Sequence, residues 1–306
     1  YAVGWESSGW KTALDKSGST YTVNCAFTVT DGVLTGYTGS RSAVIIPSGV
    51  TEIGQGVFRD KTNVISVKIP DTVRKIGKNA FKNTAITGIT IPASVEEIGV
   101  YVFDDCDSLT DINVNSSNSH YKSVSGVLFN KTGTTLLCYP AGRTATSYTV
   151  PSGVTTIGNS AFYYCANLTS VTLPEGVEVL DEYALCGCLK LSSVTIPSTV
   201  RRTEYRALGS CSNLHALNIN SIAPTTVSTN TFSGSDNIDT VNYAGSLKQW
   251  NQSNWKAALP SDIILNCAVS GPEITQQPQS KTITEGESLT LEVKAEGTGP
   301  TLQWVF

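Results

Sequence analysis

A single repeat period constrains the fold of this chain more than any other feature of its sequence. A run of apolar residues and its closing proline returns in the same order 23 positions later: Leu168, Val171, Leu173 and Pro174 come back as Leu191, Val194, Ile196 and Pro197. A fixed period of about 20 to 50 residues is typical of solenoids, in which each coil buries its apolar side chains by stacking on its neighbours. We therefore expect a solenoid.

Prolines that follow an apolar residue mark the successive repeats. They stand at nearly regular intervals, except for one step that is more than twice as long as the others: Pro47, Pro70, Pro92, Pro151, Pro174 and Pro197. The long step, from Pro92 to Pro151, indicates an enlarged repeat, and its extra segment, residues 115–149, holds three strand-like runs separated by turn residues. Within it, the text Ser-Gly-Val-Leu from Ser125 echoes Asp-Gly-Val-Leu from Asp31. The echo predicts the same hairpin-bearing coil in both places.

Composition favours β structure and argues against two classes of partner. Charged residues make up only 15% of the chain, methionine is absent, and Ser, Thr, Val and Ile recur throughout. Because β-branched residues favour strands, we expect little helix. The formal net charge of -4 provides no basic surface for phosphate groups, so nucleic acid is not expected as a partner. No apolar run reaches the ~18 residues of a spanning helix, so we expect no membrane insertion of this fragment.

The repeat also predicts the shape of one coil. Val194 and Ile196 alternate with polar residues, which indicates a strand whose Val194 and Ile196 side chains both point inward. Pro197 ends that strand, because proline has no N–H to donate to the hydrogen bonds between buried strands. Gly77 and its equivalents Gly54, Gly99 and Gly158 share one corner of the coil. A positive φ or a close approach of two backbones would explain glycine at this corner.

The whole pattern predicts a β-rich, right-handed solenoid with a cap at each end. Residues 1–26 carry no repeat and are interpreted as the N-terminal cap. Residues 27–268 form the solenoid, including the enlarged repeat at 115–149. Its last part, residues 220–268, is interpreted as the C-terminal cap, because it contains the large aromatic residues Tyr243, Trp250 and Trp255.

Half of the eight cysteines occur at a single phase of the repeat: Cys106, Cys165, Cys188 and Cys211. This phase points inward, where small free thiols suit a narrow core. Because adjacent coils lie about 4.8 Å apart, a disulfide between stacked cysteines remains an alternative. The cysteines and histidines lack the spacing of a zinc site, so no metal is predicted.

The sequence offers no catalytic constellation. The only histidines, His120 and His215, are interpreted as ordinary surface residues, and no nucleophile, phosphate-loop or metalloprotease motif occurs. The acidic cluster Asp104, Asp105 and Asp107 lacks the spacing of a calcium loop, and we interpret it as a solvated turn. We predict no enzyme activity, no catalytic residue and no cofactor.

The repeat unit resembles the BspA-like leucine-rich repeats of bacterial surface proteins. Matching positions are found in several units, for example Ile69-Pro70, Val73, Ile76-Gly77 and Ala80-Phe81, and again Val150-Pro151, Ile157-Gly158, Ala161-Phe162 and Cys165. Thr84 stands where the family has cysteine, and Leu185 and Leu208 stand where it has phenylalanine. The resemblance implies a cell-surface or secreted protein without a catalytic site, whose signal and anchor segments are not part of this fragment.

Residues 273–306 are similar to the opening strands of a bacterial immunoglobulin-like domain. The resemblance rests on the strand text Glu-Gly-Glu-Ser-Leu-Thr-Leu-Glu-Val-Lys-Ala and on Trp304. A complete domain of this type has about 100 residues, so this segment is interpreted as truncated. Its strands are expected to be mobile, or to pair with a neighbouring molecule or with the solenoid, and we expect the natural protein to continue beyond Phe306.

Two surfaces are candidates for binding an extracellular protein or glycoprotein. One is a set of tyrosines at a corner of the coils: Tyr101, Tyr163, Tyr164, Tyr183 and Tyr205. The other is the outward face of the strands, which includes Asp111, Asn113, Ser170, Thr172, Ser193 and Thr195. Protein binding or adhesion is the leading hypothesis. A structural spacer, or an accessory module of a larger surface protein or enzyme, is the alternative.

Overall fold

The computed structural model describes residues 26–269, 273–276 and 294–296. These residues form a mostly β solenoid of about 10 turns with little helix, which confirms the predicted fold class. The N-terminal cap assigned to residues 1–26 lies outside the described residues apart from Ala26. The predicted cap therefore stays a prediction.

The strands are short and follow one another at nearly regular intervals. In chain order they are β1 (Phe27–Thr30), β2 (Val33–Tyr37), β3 (Ala43–Ile45), β4 (Glu52–Ile53), β5 (Ser66–Lys68), β6 (Lys75–Ile76), β7 (Gly88–Ile91), β8 (Glu97–Ile98), β9 (Asp111–Val114), β10 (Tyr121–Val124), β11 (Val127–Asn130), β12 (Thr135–Cys138), β13 (Ser147–Thr149), β14 (Thr156–Ile157), β15 (Ser170–Thr172), β16 (Val179–Leu180), β17 (Ser193–Ile196), β18 (Arg202–Thr203), β19 (Ala216–Ile219), β20 (Thr226–Val227), β21 (Thr240–Ser246), β22 (Ile264–Val269), β23 (Glu273–Gln276) and β24 (Lys294–Glu296). Two short helices, α1 (Leu247–Gln252) and α2 (Asn254–Ala258), lie between β21 and β22.

Each regular coil has three sides. In the coil of residues 154–173, the short side is β14, the turn side is residues 158–167 and the long side is β15. The long-side strands pair in parallel in three sheets, β3-β5-β7-β9, β13-β15 and β17-β19-β21-β22. The short-side strands continue two further sheets, β1-β2-β4-β6-β8 and β10-β11-β12-β14-β16-β18-β20. Val171 and Val194 are buried, as the alternation predicts.

Glycine is required at the coil corner because the backbones of adjacent coils almost touch there. A Cβ atom on Gly77 would lie 2.8 Å from the Gln55 nitrogen and 2.9 Å from the Ile53 carbonyl oxygen. On Gly158 it would lie 2.9 Å from the Leu136 oxygen. Of the two explanations offered by the sequence, the close approach is confirmed, because neither glycine has a positive φ.

The turn side is held by hydrogen bonds between coils and by a column of aromatic rings. The Phe58 nitrogen donates to the Ala80 oxygen at 2.9 Å, and the Phe81 nitrogen to the Val102 oxygen at 3.1 Å. The rings of Phe58 and Phe81 stack with centroids 5.4 Å apart, and Phe103 continues the column at 6.0 Å. Stacking on both sides therefore buries each ring almost completely.

The enlarged repeat adds three antiparallel strands to the short side, as its three strand-like runs predict. β10 pairs with β11 and β11 with β12, and β12 then pairs in parallel with β14. The turns Asp31-Gly32 and Ser125-Gly126 both have two consecutive positive φ values, 49° and 78° in the first and 49° and 76° in the second. This geometry is a type I′ hairpin turn, which confirms that the two echoing segments form the same hairpin.

At the C-terminal end, two tryptophans from the short helices close over the core. Trp250 and Trp255 are buried, and the Trp255 indole nitrogen donates to the Ser221 oxygen at 2.8 Å. The assignment of residues 220–268 as a cap stays a prediction. Of residues 273–306, the structure describes only β23 and β24, which pair antiparallel. The immunoglobulin-like interpretation of this segment likewise remains a prediction.

Candidate binding surface

Tyrosines from four successive turn-side segments form one continuous aromatic surface, here called the tyrosine patch. Tyr183 lies at its centre, with its ring centroid 6.3 Å from Tyr101, 6.2 Å from Tyr163 and 5.6 Å from Tyr205, each pair meeting edge to face. Tyr164 extends the patch through Tyr163 at 4.8 Å. The structure thus brings together all five tyrosines that the sequence singled out.

Three of these tyrosines occupy backbone conformations that tyrosine rarely adopts. The φ values of Tyr101, Tyr164 and Tyr183 are 61°, 50° and 57°. The left-handed conformation recurs in the other coils. The positions matching Tyr101 and Tyr183 are held by Gly56, Asn79, Ser160 and Arg206, and those matching Tyr164 by Asp60, Asn83, Asp105, Gly187 and Ser210. Glycine, asparagine and aspartate tolerate this region best. A bulky side chain in this region costs about 1 to 3 kcal/mol, and such strain is concentrated at functional sites.

Charged side chains surround the tyrosine patch, and one of them accepts a hydrogen bond from a tyrosine hydroxyl. The Tyr101 hydroxyl donates to Glu182 Oε2 at 3.1 Å. The ammonium group of Lys78 lies 5.1 Å from the centre of the Tyr101 ring, and that of Lys82 lies 5.7 Å from the Tyr163 ring. Burial raises the pKa of the Tyr101 hydroxyl, and the Glu182 charge adds to this rise. The patch therefore presents neutral tyrosines beside both signs of charge.

The second candidate surface, the outward face of the long-side strands, is solvated and almost free of aromatic residues. Its candidate residues Asn113, Ser170, Thr172, Ser193 and Thr195 are all exposed. Asp111 is exposed too, but it is engaged by an arginine of the enlarged repeat, with 3.2 Å between Arg143 Nη2 and Asp111 Oδ1. This face provides hydrogen-bonding groups without an anchoring side chain.

One polar feature of this face was not predicted from the sequence. Asn242 Nδ2 donates to Asn218 Oδ1 at 2.8 Å, and Asn266 Nδ2 donates to Asn242 Oδ1 at 2.9 Å. The three amides thus form a ladder across β19, β21 and β22, where Asn218, Asn242 and Asn266 are in register. The signal in the sequence is the even spacing of these asparagines, which exceeds the repeat period by a single position.

Asp104 does not lie in a solvated turn, so the interpretation of the acidic cluster is wrong for this residue. Its side chain is 7% exposed. Burial raises the pKa of its carboxyl to about 7, and the Asp105 charge adds to the rise, while Lys82 and a hydrogen bond from Ser160 oppose it. Its neighbour Asp107 is exposed, as expected. The carboxyl was missed because Ser160, which contacts it, lies far away in the sequence.

The repeated cysteines are free and buried, which confirms the first of the two interpretations. Cys106, Cys165, Cys188 and Cys211 carry no disulfide and are at most 1% exposed. Each thiol donates to a backbone oxygen of the preceding coil, for example Cys188 to Phe162 at 3.4 Å. Thr84, which replaces cysteine in one coil, instead donates its hydroxyl to Phe81 of its own coil at 2.8 Å.

Both histidines lie at the surface, as the sequence predicted. His215 is half exposed, with its Nδ1 atom 3.4 Å from Asp239 Oδ2, and His120 is exposed. Across residues 26–269, 273–276 and 294–296, no three His, Cys, Asp or Glu side chains are grouped to hold a metal ion. Among the same residues there is no helix long and apolar enough to cross a membrane.

Stacked coils with parallel short strands, an apolar core and a repeated inward cysteine define a leucine-rich repeat solenoid. The family model described as "BspA type Leucine rich repeat region (6 copies)" matches residues 36–141 and 137–258. The chain therefore belongs to the BspA-type leucine-rich repeat family, as its sequence resemblance implied. No curated protein matches the chain by sequence.

Solved structures of bacterial repeat proteins are similar to this chain. A leucine rich cell surface protein from Faecalibacterium prausnitzii is 29% identical with a TM-score of 0.56, and the match covers 68% of this chain and 61% of that one. A leucine-rich repeat protein from Eubacterium ventriosum is 27% identical with a TM-score of 0.54, covering 71% and 75%. The pneumococcal vaccine antigen PcpA, at 19% identity and a TM-score of 0.54, covers 74% and 67% and shares the fold.

Proposed function

We propose that this chain is a non-catalytic module of a bacterial surface or secreted protein, and that it binds an extracellular protein or glycoprotein through the tyrosine patch. The observation that carries the proposal is the continuity of the patch, since five rings from four coils form one surface. Tyrosine is enriched among the residues that dominate binding energy at protein interfaces. The outward strand face provides no comparable anchor.

Two further observations support this proposal. The patch places tyrosine at three left-handed backbone positions, Tyr101, Tyr164 and Tyr183, and strain of this kind is concentrated at functional sites. The Faecalibacterium prausnitzii protein that resembles this chain is a cell surface protein, which supports an extracellular location. This chain spans 61% of the length of that protein. What a longer surface protein containing this chain would do is therefore part of the proposal as well.

The test is a binding panel with variants on each of the two surfaces. The whole chain is titrated against immobilised extracellular-matrix proteins, mucins and glycans by surface plasmon resonance. Tyr164→Asn with Tyr205→Ala removes the two most exposed rings of the patch, and asparagine suits the left-handed conformation at 164. Thr172→Ala with Thr195→Ala is the control on the strand face. We expect saturable binding that the tyrosine double variant weakens at least tenfold and the threonine double variant changes less than twofold.

Other outcomes separate the alternatives. Binding that is lost in the threonine variant and kept in the tyrosine variant would assign the function to the strand face. No saturable binding to any member of the panel would contradict the proposal and favour a structural spacer. Circular dichroism of each variant shows whether it has kept the solenoid.

A further inference from the structure

A cleft opens beside the tyrosine patch because the enlarged repeat lacks a full turn side. In a regular coil Phe162 follows the short-side residue Ile157 by five positions, whereas Tyr139 follows its equivalent Leu136 by three. Tyr139 nevertheless takes the place of the repeated phenylalanine, since its nitrogen donates to the Ala161 oxygen at 2.7 Å. Part of the usual turn is therefore missing, and space remains between the turns on either side.

The cleft has a volume of about 140 Å³. One wall is the turn from Gly99 to Asp104, the other is the turn from Asn159 to Tyr163, and Leu137 lies between them. A cavity of about 150 Å³ is large enough to hold a molecule of the size of benzene. The cleft therefore has room for a small group on a short apolar stem.

Three polar atoms of residues lining the cleft lack a hydrogen-bond partner among the described residues: Asp104 Oδ1, Asn159 Oδ1 and the Tyr139 hydroxyl. The Asp104 side chain is more than nine-tenths buried, and its contacts with Ser160 Oγ at 3.3 Å and Lys82 Nζ at 3.9 Å both use Oδ2. Within the described residues, no donor is bonded to Asp104 Oδ1. Asn159 Oδ1 is buried and has no hydrogen-bond partner among the described residues, while Asn159 Nδ2 donates to Glu182 Oε2. Asn159 Oδ1 is a buried acceptor without a donor, which is costly, so a ligand that donates to it and to Asp104 Oδ1 would be stabilised.

The charges around the cleft favour a cation. Around the cleft stand the carboxylates of Asp104, Asp105 and Glu182 and the ammonium groups of Lys78 and Lys82. Arg143, which lies against Tyr139, is paired with Asp111, so one negative charge is left uncompensated when Asp104 is ionised. The rings of Tyr101 and Tyr163 line the same space, and an ammonium group is attracted to aromatic faces. Lys82 already lies against both a carboxylate and a ring at this position.

We infer that this cleft binds a primary ammonium group carried on a short apolar stem, with Asp104 Oδ1 and Asn159 Oδ1 as its acceptors. Such a group is supplied either by a lysine side chain of a bound protein or by a free aliphatic amine. The lysine source rests on the proposed function, since the tyrosine patch borders the cleft. The free-amine source is independent of it.

The test is an NMR titration of the whole chain that follows the backbone amides of residues 99–104 and 159–163. The probes at pH 8 are n-butylammonium, a lysine blocked at both backbone ends, and n-butanol as the neutral control. We expect both amines to shift these amides and n-butanol to shift them at least tenfold more weakly. Shifts by n-butylammonium alone would assign the cleft to free amines, and both results support an ammonium site.

Variants connect the binding to the proposed acceptor. Asp104→Asn is expected to weaken n-butylammonium binding at least tenfold. The control is Asp105→Asn, which removes the charge of the more exposed carboxylate that also contacts Lys82, and it is expected to change binding less than threefold. Binding is also expected to weaken at least tenfold between pH 8 and pH 5. The groups facing Asp104 are Lys82, Asp105, Ser160 and the Tyr163 ring. Burial raises the pKa of Asp104 to about 7, so its carboxylate is lost as the pH falls through this window.

Equal shifts by n-butanol and n-butylammonium would overturn the inference, as would binding that is unchanged in Asp104→Asn. This result is separable from the proposed function, because Tyr164 and Tyr205 do not line the cleft. Amine binding without any protein binding would leave the cleft assigned and contradict the adhesion proposal. Protein binding without amine binding would do the reverse.

Discussion

Single side chains in the core are chemically protected by the stacking of coils. The thiols of Cys106, Cys165, Cys188 and Cys211 donate to carbonyl oxygens at 3.1 to 3.6 Å and are almost completely buried. Burial raises the pKa of the Cys211 thiol to about 12 and that of Cys188 well above its usual range. Because the thiolate is the reactive form, these cysteines are predicted to be inert in the folded protein.

Labelling of the native chain with an excess of DTNB, followed by peptide mass spectrometry, tests this protection. We expect the partly exposed Cys267 to react first, while these four buried thiols stay unmodified on a timescale of hours. In 6 M guanidinium chloride all of them should react. Modification of Cys188 at the same rate as Cys267 in the native protein would show that the stacked thiols are accessible.

Asp104 is predicted to make stability fall as the pH rises. Its folded pKa of about 7 lies above the ordinary value of 3.8, so the folded state holds the proton more tightly and the group destabilises the fold increasingly between pH 4 and pH 7. At 1.36 kcal/mol per pKa unit, the full effect is up to about 4 kcal/mol above pH 7. Urea unfolding at pH 5 and pH 7.5 should show this loss in the natural protein and not in Asp104→Asn. An identical loss in the variant would contradict the assignment.

The repeat in the sequence predicts which side chains point inward. It does not predict contacts between coils that the enlarged repeat separates. The burial of Val194 and Cys188 follows from their phase alone, because every coil repeats the same geometry. The contact between Asp104 and Ser160 could not be predicted, since it depends on how many residues the enlarged repeat leaves out of its turn side. The tyrosines could be placed at a corner, whereas their edge-to-face contacts required the stacking distances.

Among the structural elements, the coil corner occupied by Gly77 and its equivalents determines how closely the backbones of adjacent coils approach. Gly77→Ala would place a Cβ within 3 Å of backbone atoms of the preceding coil, which cannot move independently, so we expect a loss of about 1 to 3 kcal/mol. Gly88→Ala is the control, since its Cβ would meet only the Asp111 oxygen at an ordinary 3.6 Å. We expect Gly88→Ala to be neutral or slightly stabilising, because glycine is unfavourable within a strand. Equal effects of both substitutions in thermal unfolding would refute this account of the corner.

Strand β11 joins two otherwise separate parts of the core. Val127 and Phe129 pack into the C-terminal cluster of buried side chains, while Leu128 between them packs into the N-terminal cluster. All three are at most 1% exposed, so this strand is buried on both faces. The inserted hairpin is therefore part of the solenoid core, and the consecutive apolar residues Val127, Leu128 and Phe129 are the signal in the sequence that both faces are covered.

Truncation of Leu128, the side chain of β11 that packs into the N-terminal cluster, should lower the stability of the whole solenoid. Leu128→Ala removes a fully buried side chain, and we expect the free energy of unfolding to fall by about 2 to 5 kcal/mol. Leu189→Ala, at an exposed position, should change it by less than about 0.5 kcal/mol. Urea unfolding followed by circular dichroism compares the two. A loss in Leu128→Ala no larger than that in Leu189→Ala would show that β11 does not couple the clusters.

The described residues 26–269 form a column of coils whose regularity is interrupted by the enlarged repeat at residues 115–149. Regular coils place similar residues on every side, so they produce extended surfaces such as the polar strand face. The break produces the cleft, and the tyrosine patch borders it. The solenoid fold could be predicted from the period, because a solenoid is specified by local repetition, and the family was implied by the resemblance of the repeat unit to a known one. The partner could not be predicted, because the surface that we propose for it arises where the repetition fails.

Hydrogen exchange of the whole chain, alone and with the tightest-binding member of the panel, tests most directly whether the tyrosine patch is the binding surface. Amides buried under a partner exchange more slowly, and mass spectrometry locates them. We predict slower exchange in peptides that cover residues 159–165, 182–188 and 205–211, with no change in β15 and β17. Slower exchange confined to β15 and β17, with the tyrosine segments unchanged, would contradict the account.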